Sequence, residues 1–176
     1  DTVKDSAEYL LTLINDILDL SKIEAGRIEI DLINTDLHQL IDSVYRVMNI
    51  HAINRKLDFK TTVNSDVPRY IKAAPERQKQ ILINLIGNAL KFTPRGSVTL
   101  TVSHGDGDGY NHPPEFSDFL LFTVKDTGIG IQEDKLELIF ESFTQADSST
   151  FRKYGGTGLG LSISKQLIRL MNGDIR

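Results

Sequence analysis

The stretch Asn84-Leu85-Ile86-Gly87-Asn88-Ala89-Leu90-Lys91-Phe92-Thr93 carries amides and an ammonium at spacings of four and three. On a helix those spacings put Asn84, Asn88 and Lys91 on one face. Neutral amide oxygens can hold a Mg²⁺ ion that keeps most of its waters and takes its other ligands from phosphates, to which Lys91 would add positive charge. The plainer reading is a solvated helix face, since amides are ordinary on helix surfaces. A second segment, Val124-Lys125-Asp126-Thr127-Gly128-Ile129-Gly130-Ile131, is β-rich and runs into a glycine-bearing turn. There a strand-end carboxylate can accept from an amine donor, and glycines let a flat ring approach the backbone; a turn capped by its own Asp is the competing reading. The third, Gly155-Gly156-Thr157-Gly158-Leu159-Gly160-Leu161, precedes a helical pattern. Its N–H groups and the helix dipole could cradle anionic oxygens, although glycine-rich loops also serve as hinges. Neither glycine segment has the dinucleotide spacing G-x-G-x-x-G, and no G-K-[ST] exists, so nicotinamide and P-loop chemistry are not expected.

The elements that must position these residues are legible in the apolar pattern. From Asp1 to about Glu24, Val3, Leu10 and Ile17, with Ala7 and Ile14, recur every seven residues. Leu11, Leu13, Leu18 and Leu20 widen the stripe, giving a helix apolar over much of its girth that belongs in a bundle. Gly26 ends it, and the alternation from Arg27 to Asp31 suggests a strand. A helix is expected from Asp36 to His51, strands at 57–63 and 69–73, and a long helix from Glu76 to Phe92 with Pro75 at its first position. Residues 97–103 and 119–125 read as a hairpin with a long Gly/Pro-rich loop. A short helix near Asp134 to Ile139 and a last helix over 159–171 complete the pattern. The 176 residues, 40% hydrophobic and 25% charged, suffice for one substantial core and a helical appendage. Absence of cysteine excludes disulfides, thiolate zinc sites and cysteine nucleophiles. A net charge of −4, without a clustered basic face, argues against nucleic acid as a partner. No apolar run approaches the roughly 20 residues of a membrane span, so a cytoplasmic setting is expected, with any anchor outside this chain.

Taken in order, these segments resemble the ATP-binding domain shared by histidine kinases, Hsp90, gyrase and MutL. The wording is that of the kinases: NLIGNALKFT is similar to their N box, DTGIGI to the first glycine box, IFESFTQAD to the F box and GGTGLGLSI to the second glycine box. YLLTLINDILDLSKIEAGRIEI resembles the second helix of the kinase dimerisation hairpin, and with FTQAD it points to the hybrid sensor kinases. The resemblance implies a two-layer α/β sandwich of Bergerat type, a mixed sheet covered on one face by about three helices. It implies residues 1–25 as part of the dimerisation hairpin, 26–176 as the catalytic domain and 132–157 as a lid. Asp126 is then expected to bind the adenine amino group, with Gly128 and Gly130 shaping the base pocket. Asn88, helped by Asn84, is expected to hold Mg²⁺, Lys91 to meet the phosphates and Phe92 to flank the nucleotide. Gly156, Thr157, Gly158, Leu159 and Gly160 are expected to close on the triphosphate.

The implied activity is protein-histidine kinase, with ATP as phosphoryl donor, a histidine helix of the same protein as acceptor, a receiver domain downstream and a homodimer as the intact state. His38, His51, His104 and His112 are followed by Gln, Ala, Gly and Pro, none acidic, so the acceptor is expected upstream of Asp1 and autophosphorylation by this chain alone is not. The strands that usually finish such a sheet are expected after Arg176. Asn84 stands where Hsp90-like relatives carry a catalytic Glu, which favours phosphoryl transfer over hydrolysis. Ala74 and Gln78 depart from the usual Asp and Leu of the kinases, and Gln145 from the Arg of many lids. A degenerate interaction module, a chaperone-type ATPase and a bundle-forming scaffold are the rival expectations.

Overall fold

The computed structural model describes residues 2–105, 119–142 and 158–176, and the chain falls into two compact units: Leu32–Gly130, and Asp1–Asp31 with Ile131–Arg176. In the first, strand β1 (Ile33–Asp36) leads directly into helix α2 (Leu37–Arg55), while helix α1 (Thr2–Glu24) belongs to the other unit. Asp36 is the N-cap of α2, its Oδ1 accepting the Gln39 N–H at 3.2 Å, which satisfies one of the donors a helix start leaves unpaired. Its Oδ2 accepts from Arg69 Nε at 3.0 Å. Arg69 immediately precedes β3 (Tyr70–Ala73), which pairs antiparallel with β1, Asp36 opposite Tyr70 and Ile33 opposite Ala73.

The main sheet has the order β2-β4-β5, from β2 (Asp58–Val63), β4 (Ser97–His104) and β5 (Leu120–Asp126). It is mixed: β2 runs parallel to β4, and β4 antiparallel to β5. Parallel neighbours need a crossover, supplied here by β3 and helix α3 (Pro75–Phe92). Val98, Leu100 and Val102 alternate along β4 and are fully buried, as are Leu37 and Val44 of α2 and Ile86 of α3, while Leu82 and Leu90 of α3 are nearly so. Each such side chain contributes about 1.5–3 kcal/mol by leaving water. This core holds α2 and α3 on the sheet and makes the two-layer mixed α/β arrangement that the sequence implied, and the hairpin of β4 and β5 is formed as expected.

Two elements depart from expectation. Residues 27–31 form no strand; the strand of that region is β1, at 33–36. Alternation alone gives a segment two faces, but the ladder needs a partner, and β3 begins to pair only at Ile33. Near Asp134 to Ile139 the chain makes two 3₁₀ turns, Glu133–Lys135 and Leu138–Phe140, in place of one short helix.

In the other unit, α1 (Thr2–Glu24) ends at Gly26, whose φ of +64° is the left-handed conformation that glycine adopts without cost. Helix α4 (Gly160–Leu170) buries Ile163 and Leu167, with its N-cap residue Leu159 four positions earlier also buried, and packs with α1. Leu20 of α1 is buried, yet Leu10, Leu11, Ile14, Ile17 and Leu18 stand open, Leu11 at 60% and Ile14 at 46% exposure. Among the described residues no helix is long and apolar enough to cross a membrane.

Candidate functional site

Helix α3 starts with Pro75 at its first position, where a missing N–H costs nothing. Its N-cap residue is Ala74, which offers no side-chain hydrogen bond, so the departure noted in the sequence does remove a cap. Gln78 also departs: its Oε1 is buried without a partner among the described residues. At about 100° per residue, Asn84, Asn88 and Lys91 fall within an arc of about 60°, opposite Leu82, Ile86 and Leu90. Burial follows that division. The three apolar residues lie in the core, and the three polar ones are only partly covered.

The carboxyl end of α3 is fastened from several sides. Thr93 Oγ1 donates to the Ala89 carbonyl at 2.8 Å. Arg55 Nη1, from the last residue of α2, reaches the Leu90 and Lys91 carbonyls at 3.5 and 3.4 Å. The Ile129 N–H donates to the Phe92 carbonyl at 3.2 Å. Lys91 Nζ lies 4.9 Å from the Phe92 ring centroid, a cation–π distance. Burial, and then the charge of Arg55, lower the Lys91 pKa from its ordinary value.

Asp126 is the last residue of β5 and is exposed. Its Oδ1 accepts the Gly128 N–H at 2.8 Å, closing the turn on itself. Thr127 Oγ1 accepts the Ser97 N–H at 3.0 Å and ties the turn to the start of β4. Gly128 is pressed against α3: a Cβ there would stand 2.4 Å from the Phe92 carbonyl oxygen. Gly130 has φ +71° and open space around it. So Asn84, Asn88, Lys91, Phe92, Asp126, Gly128 and Gly130 share one unit, with the Asp126 turn seated on the end of the Asn/Lys helix.

Gly158, Leu159 and Gly160 belong to the other unit. Gly158 has φ +71°, Leu159 is fully buried and Gly160 opens α4. Leu159 has no side-chain cap, which leaves the first-turn N–H groups of α4 to other acceptors. Gly156 and Thr157 lie outside the described residues, as does Gln145 and all of the expected lid from 143 to 157. A furrow along the first turns of α3, lined by Glu76, Arg77, Lys79, Gln80 and Ile83, contains none of these residues. Its lining comes from a single helix, so it is surface relief and not an enclosing cavity. Arg55, Thr93 and Thr127 were not singled out in the sequence. Thr93 and Thr127 lie within the motifs NLIGNALKFT and DTGIGI; Arg55 gives no sign, because its carbonyl partners lie 35 and 36 residues away.

A metal at this site would depend on the nucleotide. Among the described residues no three His, Asp or Glu side chains gather into a metal-holding group. The oxygens of Asn84 and Asn88 are neutral, which fits an ion that takes its anionic ligands from phosphates.

Residues 73–176, from the end of β3 through α3, the Asp126 turn and α4, match the model of the family described as histidine kinase-, DNA gyrase B-, and HSP90-like ATPase. The chain belongs to this ATPase family. Among its relatives is hybrid signal transduction histidine kinase A of Dictyostelium discoideum, 42% identical over 99% of this chain and 8% of that protein. The sensory/regulatory protein RpfC of Xanthomonas campestris is likewise 42% identical, over 99% of this chain and 23% of the relative. The chain thus spans less than a quarter of either. Among solved structures, full-length ShkA in complex with AMPPNP matches with a TM-score of 0.80 and 35% identity, over 97% of this chain and 33% of that one. The nucleotide-free catalytic domain of histidine kinase ThkA matches with a TM-score of 0.60 and 27% identity, over 82% and 84%. The matches to these relatives extend over the leader helix as well as the ATPase fold.

Proposed function

We propose that this chain is the ATP-binding catalytic part of a hybrid-type sensor histidine kinase, which positions Mg-ATP for transfer of the γ-phosphoryl group to a histidine on a separate helix. The observation that carries this reading is the junction of the Asn84/Asn88/Lys91 helix with the Asp126 turn, made by the Ile129 N–H on the Phe92 carbonyl and the close seat of Gly128. It joins a carboxylate suited to an exocyclic amine to amides and an ammonium suited to metal-bound phosphates. Among the described residues Asp126 Oδ2 takes no hydrogen bond, which leaves an acceptor for the adenine amino group. Asn84 and Asn88 supply neutral oxygens to Mg²⁺, whose role is to neutralise phosphate charge. Lys91 adds a cation beside the phosphates, and Phe92 flanks the nucleotide. Gly156, Thr157, Gly158, Leu159 and Gly160 are assigned to the phosphates on resemblance alone, as are the lid at 132–157 and the division near residue 25.

In the transfer, an imidazole nitrogen bonds to the γ-phosphorus as the bond from that phosphorus to the β–γ bridging oxygen breaks, and ADP departs. The protein's part is positioning and charge neutralisation. The phosphate passes later to a receiver aspartate. The open apolar side of α1, Leu10, Leu11, Ile14, Ile17 and Leu18, supports a bundle role for that helix, and hence a homodimer of the intact protein.

Isothermal titration with Mg-ATP, repeated without metal, tests the reading. Asp126→Asn removes an anionic acceptor and sets an amide against the adenine amine, and Asn88→Asp places a charge beside the triphosphate. Each is expected to weaken binding by about tenfold or more. Unchanged affinity in both variants sinks the site assignment.

A further inference from the structure

We propose that Arg55 is a positioning residue of the nucleotide site, clamping the carboxyl end of α3 so that Lys91 keeps its place beside the Asp126 turn. The proposal rests on the nucleotide reading of Asn84, Asn88, Lys91 and Asp126 given above.

A helix leaves its last four carbonyls without intrahelical donors. In α3 these belong to Ala89, Leu90, Lys91 and Phe92, and each is met. Thr93, the residue after the helix, takes Ala89. The Asp126 turn takes Phe92 through the Ile129 N–H. Leu90 and Lys91 are both taken by one guanidinium nitrogen of Arg55. Of these fastenings only Arg55 reaches the backbone of Lys91 itself. Remove it, and the Leu90 and Lys91 carbonyls both lose that donor, which loosens the backbone of the residue proposed to meet the phosphates.

The geometry of α2 makes that reach possible. Its chain turns sharply at Lys56, where φ 58° and ψ 41° put a non-glycine residue in the left-handed region. The Lys56 N–H closes on the Ala52 and Ile53 carbonyls, and the Leu57 N–H on Ala52 as well. Arg55 is thereby fixed as the final helical residue, beside the end of α3.

Charge acts in two ways here. The carboxyl end of a helix carries roughly half a negative charge, which a cation stabilises. The same cation opposes the Lys91 ammonium, adding to the effect of its burial. Arg55 therefore fixes where Lys91 is and weakens its hold on a proton. A lysine at 55 would keep the charge without the planar fork.

The test uses the whole 176-residue chain with Arg55→Gln, Arg55→Lys, and Arg55→Gln combined with Lys91→Ala. Titration with Mg-ATP and with adenosine separates phosphate from base contacts, and NMR of the Lys91 side chain without nucleotide follows its titration directly. Arg55→Gln is expected to lower Mg-ATP affinity about tenfold while leaving adenosine within about twofold. That loss is expected to vanish in the Lys91→Ala background, because residues acting through one another do not add. The Lys91 pKa is expected to rise in Arg55→Gln and to stay low in Arg55→Lys. Equal losses for ATP and adenosine, an undiminished loss without Lys91, or an unmoved Lys91 titration would overturn the proposal. If Arg55→Gln does not fold, Arg55→Lys decides: a partial loss confined to Mg-ATP supports the clamp, and no loss refutes it. A wild-type chain that binds neither ligand overturns the nucleotide reading instead, and the Lys91 titration then still reports whether Arg55 grips that residue.

Discussion

A methyl group at residue 128 would meet the Phe92 carbonyl oxygen at 2.4 Å and the Asp126 Oδ1 at 2.8 Å, and one of those neighbours is backbone. No rotamer relieves such a contact, so Gly128→Ala has to push the Asp126 turn off α3. We expect a loss of about 1–3 kcal/mol in thermal or denaturant unfolding, the usual scale of overpacking, together with weaker Mg-ATP binding. Gly130→Ala is the informative partner. Nothing crowds its Cβ position, and only the φ of +71° resists it, so it should cost about 1–2 kcal/mol and leave the Gly128 seat intact. A Gly128→Ala variant as stable as the parent would mean that the turn does not press on the helix. The sequence shows both glycines as freedom for a turn but does not distinguish them. Close approach depends on the Phe92 carbonyl, 36 residues earlier, and only the fold brings it there. Arg55 was illegible for the same reason, whereas Asn84, Asn88 and Lys91 could be grouped in advance because helical spacing is local.

At the scale of elements, Asp36 joins β1, the start of α2 and the approach to β3 through one carboxylate. Its partial burial raises the pKa, but the Gln39 N–H and the Arg69 guanidinium outweigh that and hold it below the ordinary value of 3.8. A carboxyl with a lower pKa in the folded state binds fewer protons there than in the unfolded chain. Its stabilisation is therefore complete above the ordinary aspartate range and is lost as pH falls through the folded value. Asp36→Asn should lower the melting temperature at neutral pH, and the gap to the parent should close at pH values below 3.8. A gap of equal size at neutral and strongly acid pH, measured by circular dichroism, would break the link to this carboxyl. The helix beginning at Asp36 was readable, since a cap residue before an apolar stripe is a local signal. The strand beside it was displaced to 27–31, because register in a two-stranded ribbon is set by the partner and not by alternation.

For the molecule as a whole, the fold class followed from motif order more than from periodicity. The parallel pairing of β2 with β4 joins segments on either side of α3, and nothing in either strand's own residues announces it. The last helix was legible as an element; the openness of α1 was not, since an apolar stripe specifies that a partner is needed without specifying which chain supplies it. On the proposed reading, function at this scale turns on Asn84. Hydrolysis of ATP by water needs a base to orient and deprotonate the nucleophile, and a neutral amide does not take up a proton near pH 7. A histidine acceptor brings its own lone pair, so the same amide suffices when the reaction is transfer. Mixed with Mg-ATP labelled at the γ-phosphate, the chain alone should release phosphate at a rate near the uncatalysed background. With an added two-helix hairpin carrying the acceptor histidine, acid-labile, base-stable label should appear on the hairpin, and Lys91→Ala should abolish it. Brisk phosphate release that persists without any acceptor would instead place this chain with the water-activating members of its family, and would require a base other than residue 84.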